Sequence, residues 1–204
     1  RRKLGHFAVI KNHLHDLNKI LKTKDPEFIL PYLSSIIKQE KESYDRIFNS
    51  LPDSIKNYQS ILTLSNSKTI FEVIKKWHKL NRKLSVIVLR SNPVGEGKIL
   101  AYKLKKHGIR STIIPDSAIQ KYIKKAELLL LGCDVILKNG DVINKTGSRN
   151  AAVIARDLDI PVVVVSSKSK IIRTKSIKIT GREEAEKQLF ERVEKELITH
   201  LVTD

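Results

Sequence analysis

The side chains best placed to do chemistry lie between Leu128 and Ser148. Leu128 to Leu131 is an uncharged apolar run, the pattern of a strand buried on both faces, and Gly132-Cys133-Asp134 ends it with a carboxylate. Open α/β sheets hold ligands in the crevice beyond the carboxyl ends of their strands, so an acid at that point is a candidate proton donor or acceptor. Alone, it reads equally as a carboxylate that caps a turn. Asn139-Gly140 predicts a tight hairpin between Val135-Ile136-Leu137 and Val142-Ile143, after which Asn144-Lys145 returns an amide and an ammonium to the same region. A second group, Ser65-Asn66-Ser67, follows the short apolar segment from Ile61 to Leu64. Hydroxyls, an amide and backbone N–H groups at the start of a helix favour a phosphate, and Lys145 adds a charge. The glycines at 95 and 97 could do the same, but a pair of glycines serves equally as a turn. Ser65, Asp116, Asp134 and Lys145 are expected to converge on one crevice at the carboxyl edge of a parallel sheet.

The elements that must position these groups are legible in the apolar spacing. Phe7, Ile10, Leu14, Leu17 and Leu21 recur at helical steps, and Asp25-Pro26 opens a second helix continuing to about Ile47, with Pro31 expected to kink it or delay its start. From Ile61 the pattern changes. Strands at Ile61–Leu64, Val86–Leu89, Ser111–Ile114, Leu128–Leu131 and Pro161–Val165 alternate with helices, one of which presents Ile70, Val73, Ile74, Trp77 and Leu80, and another Ile99, Leu100, Tyr102 and Leu104. A short helix from Ser117 and another from Ala151 to Leu158 complete the alternation, which means parallel pairing with helical crossovers. Thr180 with Glu183 predicts a capping box for a last helix that presents Leu189, Val193 and Leu197. The fold class is therefore α/β: a small N-terminal helical domain, residues 1–59, followed by a Rossmann-like domain with a mainly parallel sheet, residues 60–204.

Composition narrows the class. With 41% hydrophobic and 30% charged residues the chain reads as soluble and globular, and no apolar run reaches the roughly 18 residues of a membrane helix, so a cytoplasmic location is expected. One cysteine excludes an intrachain disulfide framework, and neither Cys clusters nor helical His pairs predict a metal; no cofactor is expected. The chain starts at Arg1 and contains no methionine, so a native start upstream is expected. Lys and Arg number 39 against 22 Asp and Glu, a net charge of +17 that would draw a polyanion or equally reflect solvated helix faces. With few aromatic residues and no nucleic-acid motif, sequence-specific nucleic-acid binding is not expected.

Acid, hairpin, then Asn-Lys-Thr-Gly-Ser resembles the surroundings of the catalytic aspartate in the translation initiation factor 2B alpha/beta/delta family, which also contains methylthioribose-1-phosphate isomerase and ribose-1,5-bisphosphate isomerase. The family pattern is Gly-Ala-Asp, a hairpin containing Asn-Gly-Asp, then Asn-Lys-Ile-Gly-Thr. Here Cys133, Thr146 and Ser148 replace its alanine, isoleucine and threonine. Ser91 to Gly97 resembles the Ser-Arg-Pro-x-x-Glu-Gly loop with Asn92 for the arginine; Asp116-Ser117-Ala118 and Leu201-Val202-Thr203-Asp204 resemble two further segments. The Arg-Gly-Ala-Pro segment that contacts phosphate in the isomerases has no counterpart in the first 59 residues.

In the isomerases the resemblance implies an acid/base pair, the aspartate matched by Asp134 and a cysteine in a context like Thr-His-Cys-Asn. The matching segment is Thr63-Leu64-Ser65-Asn66, so the cysteine position is Ser65. A serine hydroxyl titrates far above a thiol and cannot readily alternate between protonated and anionic forms. Cys133 is no substitute, since a neighbour of Asp134 at a strand end points to the opposite side and a lone cysteine reads as a small buried apolar residue. The resemblance thus favours a non-catalytic protein like the initiation factor 2B regulatory subunits, with Ser65, Asn66, Ser67, Asp116, Asp134, Asn144 and Lys145 holding a sugar phosphate or nucleotide. The alternative is an aldose-ketose isomerase with an altered site, in which Asp134 is catalytic. Partners expected are a second copy in a twofold dimer through the Rossmann-like domain and an initiation-factor subunit. The apolar segments Leu128–Leu131, Val162–Val165 and Leu197–Val202 supply an independent reason for the dimer.

Overall fold

The computed structural model describes residues 26–172, 174 and 189–204, together with helical positions 14, 15, 17, 18, 21 and 22. Strands β1 (Ser60–Leu64), β2 (Ser85–Leu89), β3 (Arg110–Ile114), β4 (Leu128–Leu131), β7 (Val162–Ser166) and β9 (His200–Thr203) form one parallel sheet in the order β3-β2-β1-β4-β7-β9. A smaller antiparallel sheet joins β5 (Val135–Ile136), β6 (Val142–Lys145) and β8 (Phe190–Val193). The helices are α1 (Ile29–Asn49), α2 (Asp53–Lys56), α3 (Lys68–Leu80), α4 (Gly97–Lys106), α5 (Ile119–Ile123) and α6 (Ser148–Asp157). Among the described residues no helix is long and apolar enough to cross a membrane.

The uninterrupted apolar strands follow from a sheet covered on both faces. Alternate residues divide cleanly: Ile61, Val86, Val88, Leu128, Leu130, Val163 and Val165 pack with α3, α4 and the end of α1, whereas Leu62, Leu64, Ile87, Leu89, Leu129, Leu131, Val162 and Val164 pack with α5 and α6. Trp77 of α3 is fully buried in the first core and donates its ring N–H to Lys56 O at 2.9 Å, so the short α2 is tied to α3. Ile47, Phe48, Leu51 and Ile55 share that core with the sheet.

The helix expected from Asp25-Pro26, α1, begins at Ile29, after a 3-10 turn at Pro26–Phe28 and so later than Asp25-Pro26, and Pro31 falls in its first turn, where a missing N–H removes no bond within the helix. Two local readings need correction. Leu80 ends α3 exposed rather than extending its buried face. The expected last helix is not formed where it can be seen: Val193 lies in β8, and Leu197 ends a 3-10 turn before β9. Both are buried in one core, so their spacing of four fits a helix as well as a strand followed by a turn. β6 decides the outcome by pairing antiparallel with β8. Thr180, Glu183, Phe7 and Ile10 lie outside the described residues.

Asp141 fastens this smaller sheet. Its buried carboxylate accepts the Lys195 N–H at 3.0 Å, the Asn139 amide at 2.9 Å and the Arg192 guanidinium. Burial opposes its ionisation, but the hydrogen bonds from Lys195 N–H, Asn139 and Arg192, with the Arg192 charge, together hold its pKa below the ordinary value. A folded pKa below the unfolded value of about 4 contributes stability present above that pH and lost as pH falls through the folded pKa. Asp141→Asn is therefore expected to be less stable than the parent at neutral pH, with the gap narrowing below about pH 4. Urea unfolding across the acid range measures this, and a gap independent of pH would refute it.

Candidate functional site

The strand order places β1 and β4 side by side while their connections run to opposite sides, which makes the carboxyl end of that pair the switch point of the sheet. A cavity of about 710 Å³ opens there, lined by Ser65, Asn66 and Ser67 after β1, Gly132, Cys133 and Asp134 after β4, Asn144 and Lys145 of β6, and the loop Ser167–Lys170 after β7. Asp204 lines it beyond β9, and Glu40, Ser43, Tyr44 and Arg46 of α1 form a wall. Of the expected residues, Ser65, Asn66, Ser67, Asp134, Asn144 and Lys145 come together, and Asp116 does not.

Asp116 stands one layer behind, in a separate smaller pocket. Its two carboxylate oxygens accept the N–H groups of Ser91 at 2.8 Å and Asn92 at 2.9 Å. The Ser91 hydroxyl oxygen in turn accepts the Ser65 N–H at 2.6 Å. Ser65 and Ser91 both have φ of 64°, a left-handed conformation that non-glycine residues seldom adopt, so this relay holds Ser65 in an unfavourable backbone state at the cavity edge. Ser67 caps α3, its hydroxyl oxygen accepting the Ile70 N–H at 3.4 Å. Gly132 lets β4 end against this cap, since a Cβ there would lie 2.9 Å from the Ser67 hydroxyl.

Among the described residues the cavity is lined by five cations, Arg46, Lys68, Lys145, Lys168 and Lys170, and four carboxylates, Glu40, Glu96, Asp134 and Asp204. Lys145 is buried and its ammonium meets Glu96 Oε1 at 2.8 Å, while Glu96 Oε2 is buried without a hydrogen-bond partner among the described residues. The Asn144 amide donates to Ser148 Oγ at 2.9 Å, and that hydroxyl donates to Lys145 O at 2.5 Å, which fixes the turn from β6 into α6. On the opposite wall the Tyr44 hydroxyl donates to Glu40 at 2.6 Å and Lys68 approaches the same carboxylate at 3.3 Å. Glu40 is held below the usual carboxylate range by the Tyr44 bond, against partial burial, with help from Lys68; burial and Glu40 push the Tyr44 hydroxyl up. Arg46 meets Asp204 at 3.3 Å, and Asp204 also accepts the Lys168 N–H at 2.7 Å. Cys133 packs in the second core, and burial pushes its thiol up to about 11. Among the described residues no group of three His, Cys, Asp or Glu side chains could hold a metal ion.

Sequence reasoning missed the α1 wall, the Ser167–Lys170 loop and Glu96 as the partner of Lys145. The loop carried a signal, because it follows an apolar strand just as Asp134 does. The α1 side chains carried none, since a helix face says nothing of what it will meet.

Residues 7–203 match the initiation factor 2 subunit family. The chain belongs to this family. Within it the chain is 32% identical over 139 residues to translation initiation factor eIF2B subunit alpha of Caenorhabditis elegans, covering 68% of this chain and 46% of that protein. It is 28% identical over 187 residues to ribose 1,5-bisphosphate isomerase of Methanocaldococcus jannaschii, covering 90% and 60% respectively. The chain thus spans about half the length of such relatives. In fold it is similar to one chain of the tetrameric eIF2B-beta2-delta2 complex of Chaetomium thermophilum, with a TM-score of 0.79 at 19% identity over 96% of this chain and 69% of that one. The family therefore includes both initiation-factor subunits and isomerases.

Proposed function

We propose that the chain is a non-catalytic member of the family that acts by association with partner subunits and takes a sugar phosphate or nucleotide in the cavity. The observation that carries this reading is the position of the thiol. Ser65 and Asp134 both line the cavity, whereas Cys133, at the same strand end as Asp134, is 2% exposed and packs in the core with its thiol raised to about 11. Moving a proton between neighbouring carbons needs two groups that change protonation in turn, and a serine hydroxyl without an adjacent base supplies only one state. What remains suits an anion: Lys68, Lys168 and Lys170 line the cavity, and the capped start of α3 opens on it.

Incubation with ribose 1,5-bisphosphate and with methylthioribose 1-phosphate is expected to give no ketose product. The same compounds should raise the melting temperature saturably, with about 2.7 kcal/mol gained at a hundredfold excess over Kd. A second reading, an isomerase with an altered site, is favoured by Asp134 lining the cavity together with Lys145. Turnover abolished by Asp134→Asn would establish that reading and overturn the first. The association part predicts a twofold dimer through the Rossmann-like domain, with an apolar centre large enough to outweigh the repulsion of +17 on each copy. Light scattering that finds only monomer at micromolar concentration removes the homodimer and leaves association with a different subunit.

A further inference from the structure

The geometry points to a docking groove along β3 for an acidic, extended segment of a partner protein. β3 is an end strand of the parallel sheet. Ile114 O accepts the Arg90 N–H at 2.9 Å, so the backbone of Ile114 faces the β2 side. Alternation along the strand then turns the N–H and C=O groups of Ser111 and Ile113 to the open side, where another strand can pair with them. Beside this edge runs a groove of about 570 Å³ between β3 and α4, whose lining includes Arg90, Lys98, Tyr102, Lys105, Ser111 and Ile113. Tyr102 is 68% and Ile113 41% exposed, an apolar strip beside the unpaired backbone.

Charge selects the occupant. Arg90, Lys98 and Lys105 line the groove, no carboxylate does, and none of the three has an ion pair among the described residues. A second copy of this chain would bring the same cations to the same edge, so pairing β3 with itself juxtaposes like charges. A segment alternating acidic and β-branched residues sets carboxylates over the cations and apolar side chains on Tyr102 and Ile113. Lysines beside an end strand also guard it against chance pairing, a role that predicts no binding.

The test uses a fluorescein-labelled peptide of about seven residues, a length typical of one strand, alternating glutamate and valine and titrated against the full chain by anisotropy. Saturable binding is expected, with hydrogen exchange slowed at the Ser111 and Ile113 amides. Lys98→Glu/Lys105→Glu and, separately, N-methylation of alternate peptide residues are each expected to weaken binding at least about tenfold. The proposal fails if the peptide does not bind, if a lysine-valine peptide binds equally, or if N-methylation has no effect, which leaves only general attraction to a cationic surface. Self-association that the double charge reversal strengthens would assign the edge to a second copy and overturn the acidic partner.

Discussion

Exchanging Lys145 for methionine is expected to lower the free energy of unfolding by about 3 kcal/mol, read from urea denaturation at neutral pH. The Lys145 side chain is 6% exposed and its partner Glu96 23%, so the 2.8 Å pair between them is largely withdrawn from water. Methionine keeps the length of the chain and its packing but removes the ammonium. Glu96 then keeps a charge with neither oxygen neutralised, since Oε2 has no partner among the described residues to begin with. Losing one member of a buried pair costs more than losing both, because the survivor remains as an uncompensated charge. Glu96→Gln on the Lys145→Met background is accordingly expected to recover a good part of the loss. If the single exchange costs no more than a few tenths of a kcal/mol, as exposed pairs do, Glu96 has turned to water in the cavity and the pair is not structural.

That pair also marks how far the sequence could be read. Lys145 was identifiable because it follows a hairpin whose Asn139-Gly140 turn is local chemistry, although the β5–β6 pairing of Val135 with Ile143 and Ile136 with Val142 closes a three-residue loop, Lys138-Asn139-Gly140 with Gly140 left-handed, one residue longer than the two-residue turn Asn-Gly favours. Glu96 sits 49 positions earlier, and nothing in the spacing of the Pro93–Gly97 loop tells which cation it will meet. The same limit explains the other differences. Strands β1, β4 and β7 were legible because an uncharged run has one stable place, the middle of a sheet covered on both sides. Val193 and Leu197 were misread because both reach the same core, where a helix and a strand with a following turn give equal burial, and only the distant Asp141 and β6 distinguish the two. Asp116 carried a real structural signal and the wrong place in the site. It acts on Ser65 through Ser91, a relay that has no trace in the spacing of the three residues.

Gly97→Ala is expected to destabilise the fold by about 3 kcal/mol or more and to disturb the cavity with it. A Cβ on Gly97 would stand 1.9 Å from the carbonyl oxygen of Leu89, the last residue of β2, and 2.9 Å from its carbonyl carbon. The Gly97 N–H already donates to Arg90 O at 3.1 Å, so the first turn of α4 is held against the end of the strand by a bond as well as by packing. Backbone cannot rotate out of the way as a side chain can. Relief requires α4 or β2 to move, and α4 carries Leu100 and Leu104, both fully buried in the core beneath it. The residue before Gly97 is Glu96, so the same displacement pulls on the Lys145 pair. Gly95→Ala provides the contrast. Gly95 has φ of 79° with nothing within 4 Å of a built Cβ, so alanine there meets only the left-handed backbone penalty of about 1–2 kcal/mol. Thermal unfolding of the two variants side by side separates close approach from backbone conformation. Equal losses would mean that α4 can slide away from β2 at little cost, and that Glu96 is not held in place by the glycine beside it.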